Sequence, residues 1–426
     1  MGSLSNRSIE DLPLLGPEEI AGWASDLEGS LERLFDRHPE GLARGAGSRL
    51  LVFGSEALRR IAANESAGNM PADILSASAF NITADGAPID ADEPAAPSLA
   101  RLVANQVFTA NPPLHGPTRQ LFMRQFMPRQ LPRFADLIGQ TVSTLLVEAH
   151  DKGEVEFGHD VAERLTARFW AQVLGLTTDE EARAQRLIST MSPMFYLVRT
   201  PEETVSADAA AAEYLAMVSA AVDRSLAQGG HPILQDMAAD FAAILEEGRP
   251  ESLGMMLAAN LIDGFHTAAV ASVNAVQSLL RNPDVLAQVR ADQKLVPAVF
   301  FEAVRLNPPV VLTQRFALRD FDYEGLTVPA HTPIVMLWIA GNRDPKAFTD
   351  PNRMDLTRPQ RGDTTFGGGA HICPGKNIAR ALVEAVLTGV TAQDVRIEAV
   401  TATDEWTPRS SMRQLTQMPV RISVGA

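Results

Sequence analysis

The sequence predicts a mainly α-helical protein that carries small β-sheets, and three observations support this fold class. Apolar residues recur at helical spacing through most of the 426 residues. Runs with strand character are short. No internal repeat and no stretch of linker composition divides the chain. We therefore expect one large domain over residues 1–426, although length alone would also allow two or three domains.

Helices are predicted where apolar stripes recur every three or four residues. The central one covers about 30 residues and would be about 45 Å long. The stretch KNIARALVEAVLTGV, which follows a glycine-rich loop, predicts another at 376–390. The central helix is predicted over 251–281. The remaining predicted helices are 17–36, 118–130, 132–151, 160–175, 208–228, 235–247, 283–291 and 295–306.

Strands are predicted only in short runs. They are 47–53, 154–157, 309–316, 331–337 and 417–424. Two segments, 62–99 and 190–207, combine turn-forming residues with scattered apolar ones. These segments predict long loops, which in compact proteins are usually functional or mobile.

Composition limits the classes of function that the chain can have. Hydrophobic residues make up 46% of the chain and charged residues 21%, a balance that suits a large globular core. The net charge of −15 argues against nucleic-acid binding, because such proteins present a basic face. No apolar run approaches the roughly 18–20 residues that span a bilayer, and the N-terminal segment lacks a signal-peptide core. We expect a cytoplasmic protein.

The most informative motif surrounds the single cysteine, Cys373, in FGGGAHICPG from Phe366 to Gly375. One cysteine cannot form an internal disulfide, and no CxxC motif or cysteine–histidine cluster accompanies it to hold structural zinc. Consecutive glycines allow the backbone to turn tightly and approach a ligand. A thiol in such a loop, just before a helix, is well placed to be held as a thiolate. A buried structural cysteine is the alternative.

A charged pair lies within an apolar stretch. Glu302 and Arg305 are three residues apart in EAVR, so a helix places them on one face. Their surroundings, LVPAVFFEAVRLNPPVV, predict burial, and buried charges must be paired. We expect the two side chains to form an ion pair.

These motifs together resemble the cytochrome P-450 family in its soluble bacterial form. F-G-x-G-x-H-x-C-x-G matches the haem-binding loop at 366–375, and AGNRDPKAFTDPNRMDLTR matches a stretch common in bacterial members. Residues 1–100 match only in character and would hold a small β-sheet and the B–C region. The resemblance implies the cytochrome P-450 fold, with 251–281 as its I helix. It also implies haem b (iron protoporphyrin IX), with the sulfur of Cys373 as the fifth iron ligand.

The resemblance also assigns contacts around the haem. Family members carry histidine and arginine side chains that reach the propionates, where cationic donors make charge-assisted hydrogen bonds. The cofactor-binding residues implied are His115, Arg119, Arg315, His371, Phe366 and Gly367. A glutamate and two arginines form a network that holds the loop scaffold and performs no chemistry. Glu302 and Arg305 match its first two members, and Arg353 in DPNR matches the third.

The central helix departs from the family pattern A-G-x-[Asp/Glu]-Thr. Aligning Gly264 and Thr267 of LIDGFHTAAV puts Asp263 where Ala or Gly is usual and His266 where the acid belongs. In the family, the threonine orders water, the acid relays protons for oxygen activation, and the glycine lets the helix open locally.

Four interpretations of this departure remain open. His266 can replace the acid as proton relay, because imidazole donates and accepts protons near neutral pH. Asp263, one turn back, can instead supply the carboxylate with His266 as its partner. Normal oxygen activation can be weakened, leaving oxidative coupling, peroxide-dependent or isomerising chemistry. Finally, His266 can point away and bond a neighbouring segment.

The function implied is a haem-thiolate monooxygenase that oxidises an apolar small molecule, terpenoid-like or another secondary metabolite, with O2 and two electrons. Electrons would come from a ferredoxin and ferredoxin reductase. The alternatives are an atypical haem-thiolate enzyme and a non-enzymatic haem sensor or carrier. The basic residues expected to dock the ferredoxin are Arg124, Arg129, Arg361 and Lys376. The residues expected to line the substrate pocket are Met191, Met194, Phe195, Val310, Leu312 and Met412.

Overall fold

The computed structural model describes residues 7–16, 22–75, 96–197, 199–244, 250–408 and 410–425. The chain groups into two compact units, which are described one at a time. Unit 1 comprises Met1–Met70, Phe301–Cys373 and Glu405–Gln414, and unit 2 comprises Pro71–Phe300, Pro374–Asp404 and Leu415–Ala426. The expectation of one domain over 1–426 stays a prediction.

Helices dominate the described residues, as the mainly α class requires. They are α1 Leu27–Arg37, α2 Ser55–Ala62, α3 Pro97–Ala104, α4 His115–Gln125, α5 Pro132–Lys152, α6 Arg164–Leu174, α7 Thr178–Met191, α8 Pro201–Ala227, α9 Pro232–Ala242, α10 Leu253–Leu280, α11 Pro283–Ala291, α12 Val296–Leu306, α13 Trp338–Gly341 and α14 Lys376–Val390. Short 3-10 turns and a π-helical turn, Gly158–Glu163, connect some of them.

The strands form small sheets, as predicted. They are β1 Leu42–Gly45, β2 Arg49–Val52, β3 Ala67–Gly68, β4 Glu154–Glu156, β5 Thr313–Ala317, β6 Phe321–Tyr323, β7 Leu326–Val328, β8 Pro333–Met336, β9 Val395–Ala399 and β10 Pro419–Val424. Unit 1 holds a sheet of order β1-β2-β8-β5-β3, in which only β2 and β8 are parallel, and the hairpin β6-β7. Unit 2 holds the antiparallel sheet β4-β10-β9.

The larger sheet of unit 1 has apolar packing on both faces. Because side chains alternate along a strand, Leu50 and Val52 of β2 join one hydrophobic cluster while Leu51 and Phe53 join another. The first cluster includes residues of α2, and the second includes residues of α1. The sheet thus lies in the middle of the unit 1 core.

Helix α10 lies at the centre of unit 2. It packs against α6, α8 and α14 and is apolar almost all round, which is typical of a fully buried helix. Ser252 caps its start, with Oγ accepting a hydrogen bond from the backbone N–H of Met255 at 3.0 Å.

Both α8 and α10 are long and apolar enough to cross a membrane. Core helices pass the same test, and the apolar window of α10 is 78% buried within the protein.

Several element predictions were wrong, mostly in polar or irregular stretches. Helix α7 was missed and α8 begins at Pro201, inside the segment 190–207 that was expected to be a loop. Capping boxes at Thr177 and Thr200 begin these helices, and each pairs with a glutamate three residues on. This capping signal is present in the sequence, but the polar composition of α7 weakens its apolar stripe.

Other short elements were also missed. Helices α2, α3 and α13 and strands β1, β3, β6, β7 and β9 were not predicted. The predicted loop 62–99 holds β3 and the start of α3, while its residues 76–95 lie outside the described residues. Of the predicted helix 17–36, only 22–24 and α1 are helical, and 17–21 are not described. Residues 245–247 of the predicted helix 235–247 are likewise not described.

Candidate active site

The loop that contains Cys373 folds back on itself within unit 1. The backbone N–H of Cys373 donates a hydrogen bond to the carbonyl oxygen of Phe366 at 2.8 Å, and that of Gly367 donates to Thr364 at 3.0 Å. A 3-10 turn, Gly369–His371, forms the bend. Cys373 is partly exposed, which suits a ligand-binding thiol better than a buried structural one.

Glycine is required at one position of this loop. Gly369 has a φ of +62°, and a Cβ added there would lie 2.1 Å from the carbonyl oxygen of Ala62 in α2. Gly367 also has a positive φ, +71°, but a Cβ there would meet atoms only at ordinary distances. The loop backbone therefore lies directly against α2, where any side chain at position 369 would displace it.

Three polar side chains of unit 1 form a hydrogen-bonded cluster. Arg315 Nη1 donates to Asn69 Oδ1 at 2.8 Å, and Asn69 Nδ2 lies 3.1 Å from His371 Nδ1. Arg315 and Asn69 are buried. Because a guanidinium only donates, Asn69 Oδ1 is the acceptor and Asn69 Nδ2 must donate to the imidazole. His371 Nδ1 is therefore assigned as an acceptor, and the proton of the ring is assigned to Nε2.

This cluster suits a group that carries carboxylates. Arg315 supplies a buried cation, and His371 supplies a neutral N–H donor whose orientation Asn69 fixes. The neutral tautomer differs from the cationic donor expected at His371. Asn69 was not predicted, because an asparagine in a loop carries no periodic or motif signal.

His115 and Arg119 belong to unit 2. His115 is the first residue of α4 and is buried. Arg119 follows one turn later, half-buried, with Nη2 3.8 Å from the sulfur of Met123. The spacing of four places both side chains on one helix face, as expected. Their role as cofactor contacts stays a prediction.

The predicted Glu–Arg–Arg network exists with a different third member. Arg305 Nε and Nη2 donate to the two carboxylate oxygens of Glu302 at 2.7 and 2.9 Å, and both side chains are buried. Arg358 supplies the second guanidinium, with Nε 3.3 Å from Glu302 Oε1. The prediction of Arg353 was wrong. Its side chain is 66% exposed and pairs with Asp355 at 3.1 Å. The contact of Arg353 with Arg305 is made by its backbone carbonyl oxygen.

The network also holds backbone segments in place. Arg305 Nη1 donates to the carbonyl oxygens of Asn342 at 3.0 Å and Pro351 at 2.7 Å. Asn342 Oδ1 in turn accepts a hydrogen bond from the backbone N–H of Thr364 at 2.6 Å, just before the cysteine loop. A buried charge pair on α12 thus connects through two residues to that loop.

Helix α10 continues without interruption through LIDGFHTAAV. Thr267 Oγ1 donates to the carbonyl oxygen of Asp263, one turn back, at 2.5 Å. Gly264 lies where Trp170 of α6 packs, since a Cβ added to it would come within 3.2 Å of the indole ring. The glycine therefore allows close packing of α6 on α10. Local opening of the helix at Gly264 stays a prediction.

Asp263 contacts the segment that precedes α4. Its Oδ2 accepts a hydrogen bond from Gln106 Nε2 at 3.2 Å. Although part of the residue is exposed, burial of the carboxyl group raises its pKa from 3.8 to about 7. Burial thus makes the Asp263 carboxyl easier to protonate than an exposed aspartate.

His266 has different neighbours. It is 5% exposed and stacks on Phe195, with ring centroids 5.1 Å apart and planes within 5° of parallel. It also lines a cavity of about 10 Å³, enough for one water molecule. The polar residues that share this cavity are Glu163, Thr166, Gln185 and Ser189. Glu163 Oε2 lies 3.4 Å from both Gln185 Nε2 and Ser189 Oγ.

Comparison with known proteins identifies the family. The family model described as cytochrome P-450 matches residues 153–424, well over half of the chain. The chain belongs to the cytochrome P-450 family. The resemblance found in the cysteine loop and the EAVR motif is confirmed, and so is the fold class.

Relatives of this cytochrome P-450 include named enzymes. 6-Deoxyerythronolide B hydroxylase from Saccharopolyspora erythraea is 28% identical over 326 residues, which are 75% of this chain and 78% of the relative. The cytochrome P-450 monooxygenase PikC from Streptomyces venezuelae is 26% identical over 324 residues, 74% and 76% of the two chains. With the family match, these relatives identify the chain as a cytochrome P-450 monooxygenase.

Solved structures agree with the fold. CalO2 superposes with a TM-score of 0.80 at 24% identity, covering 97% of this chain and 100% of the other. Epothilone D-bound cytochrome P450epoK superposes with a TM-score of 0.79 at 20% identity, covering 94% and 97%.

The family implies a haem held by a cysteine thiolate, and the residues of unit 1 fit that group. The thiol of Cys373 is partly exposed on a glycine-rich loop. Arg315 and His371 are donors that suit the two propionate carboxylates, and Asn69 holds them together.

The expected pocket residues of unit 2 lie at the end of α7 and just after it. Met191 is the last residue of α7 and is fully buried. Met194 and Phe195 belong to the 3-10 turn Ser192–Phe195 and are half-buried. Stacking of Phe195 on His266 connects this turn to α10.

The expected pocket residues of unit 1 lie around β5. Val310 forms an isolated antiparallel bridge with Met412, which is buried. Leu312 packs against the hydrophobic cluster that contains residues of α1. A role in substrate binding stays a prediction for both groups of residues.

Proposed function

We propose that this monooxygenase oxidises an apolar small molecule, a terpenoid-like compound or another secondary metabolite, with O2 and two electrons from a ferredoxin and its reductase. Haem b is the cofactor, and when bound it supplies the oxygen activation. The observation that carries the proposal is the loop from Phe366 to Cys373, whose closure and glycines support a role for the thiol as an iron ligand.

The protein's own residues bind and orient the cofactor. Arg315 and His371 would hold propionate oxygens through N–H donors, and Asn69 contacts both side chains. By resemblance to the family, His115 and Arg119 make further propionate contacts. The Glu302–Arg305–Arg358 network holds the segments that lead into the cysteine loop.

His266 is the proton relay in this proposal. The cavity of about 10 Å³ is lined by both His266 and Glu163, and the side chain of Glu163 is 29% exposed to solvent. One water in the cavity can carry a proton from the Glu163 carboxyl to the imidazole. A π-helical turn ends at Glu163, and such turns are frequent at functional sites. Thr267 follows His266 and orders water, as its family position implies.

The substrate class rests on side chains and on relatives. Met194, Phe195 and Val310 offer half-buried apolar surface. One relative is named for hydroxylating 6-deoxyerythronolide B, and one neighbouring structure holds epothilone D. These names support an organic small molecule as substrate for the present enzyme.

A ferredoxin would dock on basic residues. Arg129 and Lys376 are exposed in unit 2, and Asn377 Nδ2 donates to the carbonyl oxygen of Phe126 at 3.0 Å. The start of α14 therefore lies beside the end of α4, which brings the two cations into one region. Arg124 is also exposed there but pairs with Asp240 at 2.6 Å. Arg361, the remaining expected contact, is exposed in unit 1.

The test of this function begins with a spectrum. Reduced protein with carbon monoxide should show the red-shifted Soret band of thiolate-ligated haem, and Cys373→Ser should lose it. Product formation should then require ferredoxin, reductase, NAD(P)H and O2 together. A wild-type spectrum typical of histidine ligation would refute the proposal.

The second candidate is an atypical haem-thiolate enzyme of oxidative coupling, peroxide-dependent or isomerising type. The histidine in place of the usual acid favours it. Turnover with hydrogen peroxide that is faster than turnover with the complete electron-transfer chain would support this candidate over the first. Turnover by either route would exclude a haem sensor or carrier.

A further inference from the structure

A polar cluster in unit 2 has no function in the chemistry described so far. It consists of Asp263 on α10, Gln106 just after α3, and Tyr214 on α8. Asp263 is the only charged member, and it receives one hydrogen bond, from Gln106. Among the described residues, no arginine, lysine or histidine nitrogen lies within 4.0 Å of its carboxylate. A carboxylate that is buried without a cation is costly, so its presence requires an explanation.

The orientation of Gln106 is fixed by its acceptors. Its Nε2 donates to the carbonyl oxygen of Ala259 at 3.0 Å and to Asp263 Oδ2 at 3.2 Å. Since Nε2 faces two acceptors, Oε1 must face the other way. That oxygen is fully buried and has no partner among the described residues.

The backbone around Gln106 is fastened to the same helix. Asn260 Oδ1 accepts a hydrogen bond from the N–H of Val107 at 2.8 Å. Its Nδ2 donates to the carbonyl oxygen of Asn105 at 2.9 Å. Hydrogen bonds to the backbone on both sides of Gln106 therefore hold its side-chain amide beside Asp263.

Tyr214 adds a third oxygen. Its side chain is fully buried and its hydroxyl has no partner among the described residues. Tyr214 lies on α8, which packs against α10, the helix that carries Asp263. Burial raises the pKa of Tyr214, and the negative charge of Asp263 raises it further. Tyr214 therefore stays protonated, with its oxygen lone pairs available as acceptors.

The three side chains together present acceptor oxygens and a negative charge without a cation. A hydrocarbon would leave these oxygens unsatisfied, and a neutral hydroxyl would leave the charge unpaired. A protonated amine supplies N–H donors and a positive charge at once. We propose that the substrate carries a protonated amine on an otherwise apolar skeleton, and that Asp263, Gln106 and Tyr214 bind this amine. This inference rests on the proposed function, because it specifies the substrate class of that enzyme.

The test compares matched ligands on the haem-loaded enzyme. Tertiary amines with a dimethylamino group would be titrated beside isosteres that carry an isopropyl group or a hydroxyl at the same position. Dissociation constants would come from calorimetry and from the Soret band. Binding at the cluster should shift the band to shorter wavelength, whereas nitrogen bound to iron shifts it to longer wavelength. The best amines should bind at least about tenfold more tightly than both isosteres, which corresponds to 1.4 kcal/mol.

Two variants and a control locate the effect. Asp263→Asn keeps the shape and removes the charge, so the ratio of dissociation constants between isostere and amine should fall to near one. Tyr214→Phe should reduce the ratio several-fold. Asp223→Asn makes the same charge change at an exposed position of α8 and should leave the ratio unchanged.

Three outcomes would overturn the proposal. They are equal affinity of wild type for amines and isosteres, an amine preference that survives Asp263→Asn, and a shift to longer wavelength for every amine that binds tightly. The carbon monoxide spectrum of the same samples separates this failure from failure of the proposed function. A thiolate-ligated spectrum without amine preference refutes only the amine site.

Discussion

At the scale of single residues, the neighbours of each polar side chain on α10 decide what it can do. Asp263 and His266 are three residues apart and were equal candidates for proton transfer in the sequence. Asp263 contacts a neutral amide in a buried setting. His266 lines a cavity that it shares with Glu163, a partly exposed acid. A relay needs a route to solvent, so His266 is the better candidate.

The relay prediction concerns the product formed per NAD(P)H consumed. His266→Phe should keep substrate binding but lower this ratio at least about tenfold, with peroxide formed instead, since a positioned acid contributes about 10²–10⁴ in rate. His266→Asp should retain much of the coupling. Glu163→Gln should lower it because the cavity loses its proton source.

Glu181→Gln is the matched control for Glu163→Gln. Its side chain is 21% exposed, close to the 29% of Glu163, and it does not line the cavity. Unchanged coupling in both His266→Phe and Glu163→Gln would remove this route from the mechanism. A larger loss in Asp263→Asn, with Thr267→Ala as a reference, would instead identify Asp263 as the donor.

A second residue-scale prediction concerns stability against pH. Because the pKa of Asp263 is raised from 3.8 to about 7, the folded state holds this proton more tightly than the unfolded state. Its contribution to stability is therefore present below about pH 4 and is lost as pH rises to about 7. Asp263→Asn lacks the ionisable carboxyl group and so does not lose stability in this way. The free energy of unfolding of the variant minus that of wild type should therefore be roughly 1–4 kcal/mol larger at pH 8 than at pH 4.

The measurement is denaturant unfolding of both proteins at a series of pH values. Asp223→Asn, an exposed position on α8, should follow wild type across the range. Parallel profiles for wild type and Asp263→Asn would contradict the raised pKa.

At the scale of elements, close backbone approach explains two glycines that lie near the site. Gly264 allows Trp170 to pack onto α10, and Gly369 allows the cysteine loop to lie against α2. In both cases a neighbouring element occupies the space of a Cβ. The positions of α6 and of the loop thus each depend on a glycine at a single position.

The element-scale prediction compares two glycines with positive φ. Gly369→Ala should abolish haem loading, because its Cβ would overlap the carbonyl oxygen of Ala62. Gly362→Ala has the same kind of backbone strain, with φ of +88°, but its Cβ would meet nothing within 4 Å. It should load haem normally and lose only about 1–2 kcal/mol of stability. The ratio of Soret to protein absorbance measures loading, and equal loss in both variants would contradict the close contact.

At the scale of the whole molecule, a net charge of −15 coexists with exposed basic residues and a buried ionic network. The network of Glu302, Arg305 and Arg358 connects α12, the segment 351–358 and, through Asn342, the approach to the cysteine loop. Its removal should therefore affect unit 1 as a whole.

The prediction for this network uses thermal unfolding and the yield of haem-loaded protein. Glu302→Ala leaves two guanidinium groups without their carboxylate and should cost about 3–5 kcal/mol, with little haem-loaded protein recovered. Arg358→Ala should be clearly destabilised. Arg353→Ala, the matched control at an exposed position, should stay within about 0.5 kcal/mol of wild type. Equal damage from Arg353→Ala and Arg358→Ala would contradict the assignment.

Local patterns were enough to predict the mainly α class, the family and the pairing of Glu302 with Arg305. Each depends on residues that are close in sequence, so periodicity and spacing carry the information. Helix α7 shows the limit of this signal. Its capping box was present, but a polar helix buries too few residues to give a strong apolar stripe.

Only the tertiary structure decided which distant residues meet. Asn69 and His371 are 302 residues apart, and Gln106 and Asp263 are 157 apart. Arg358 replaced Arg353 in the network because the backbone turns one guanidinium inward and the other into solvent. Contacts of this kind depend on chain packing, and no local periodicity encodes them. The sequence thus determined the thiol and the fold class, while packing determined the partners of each polar group, because hydrogen bonds require proximity in space.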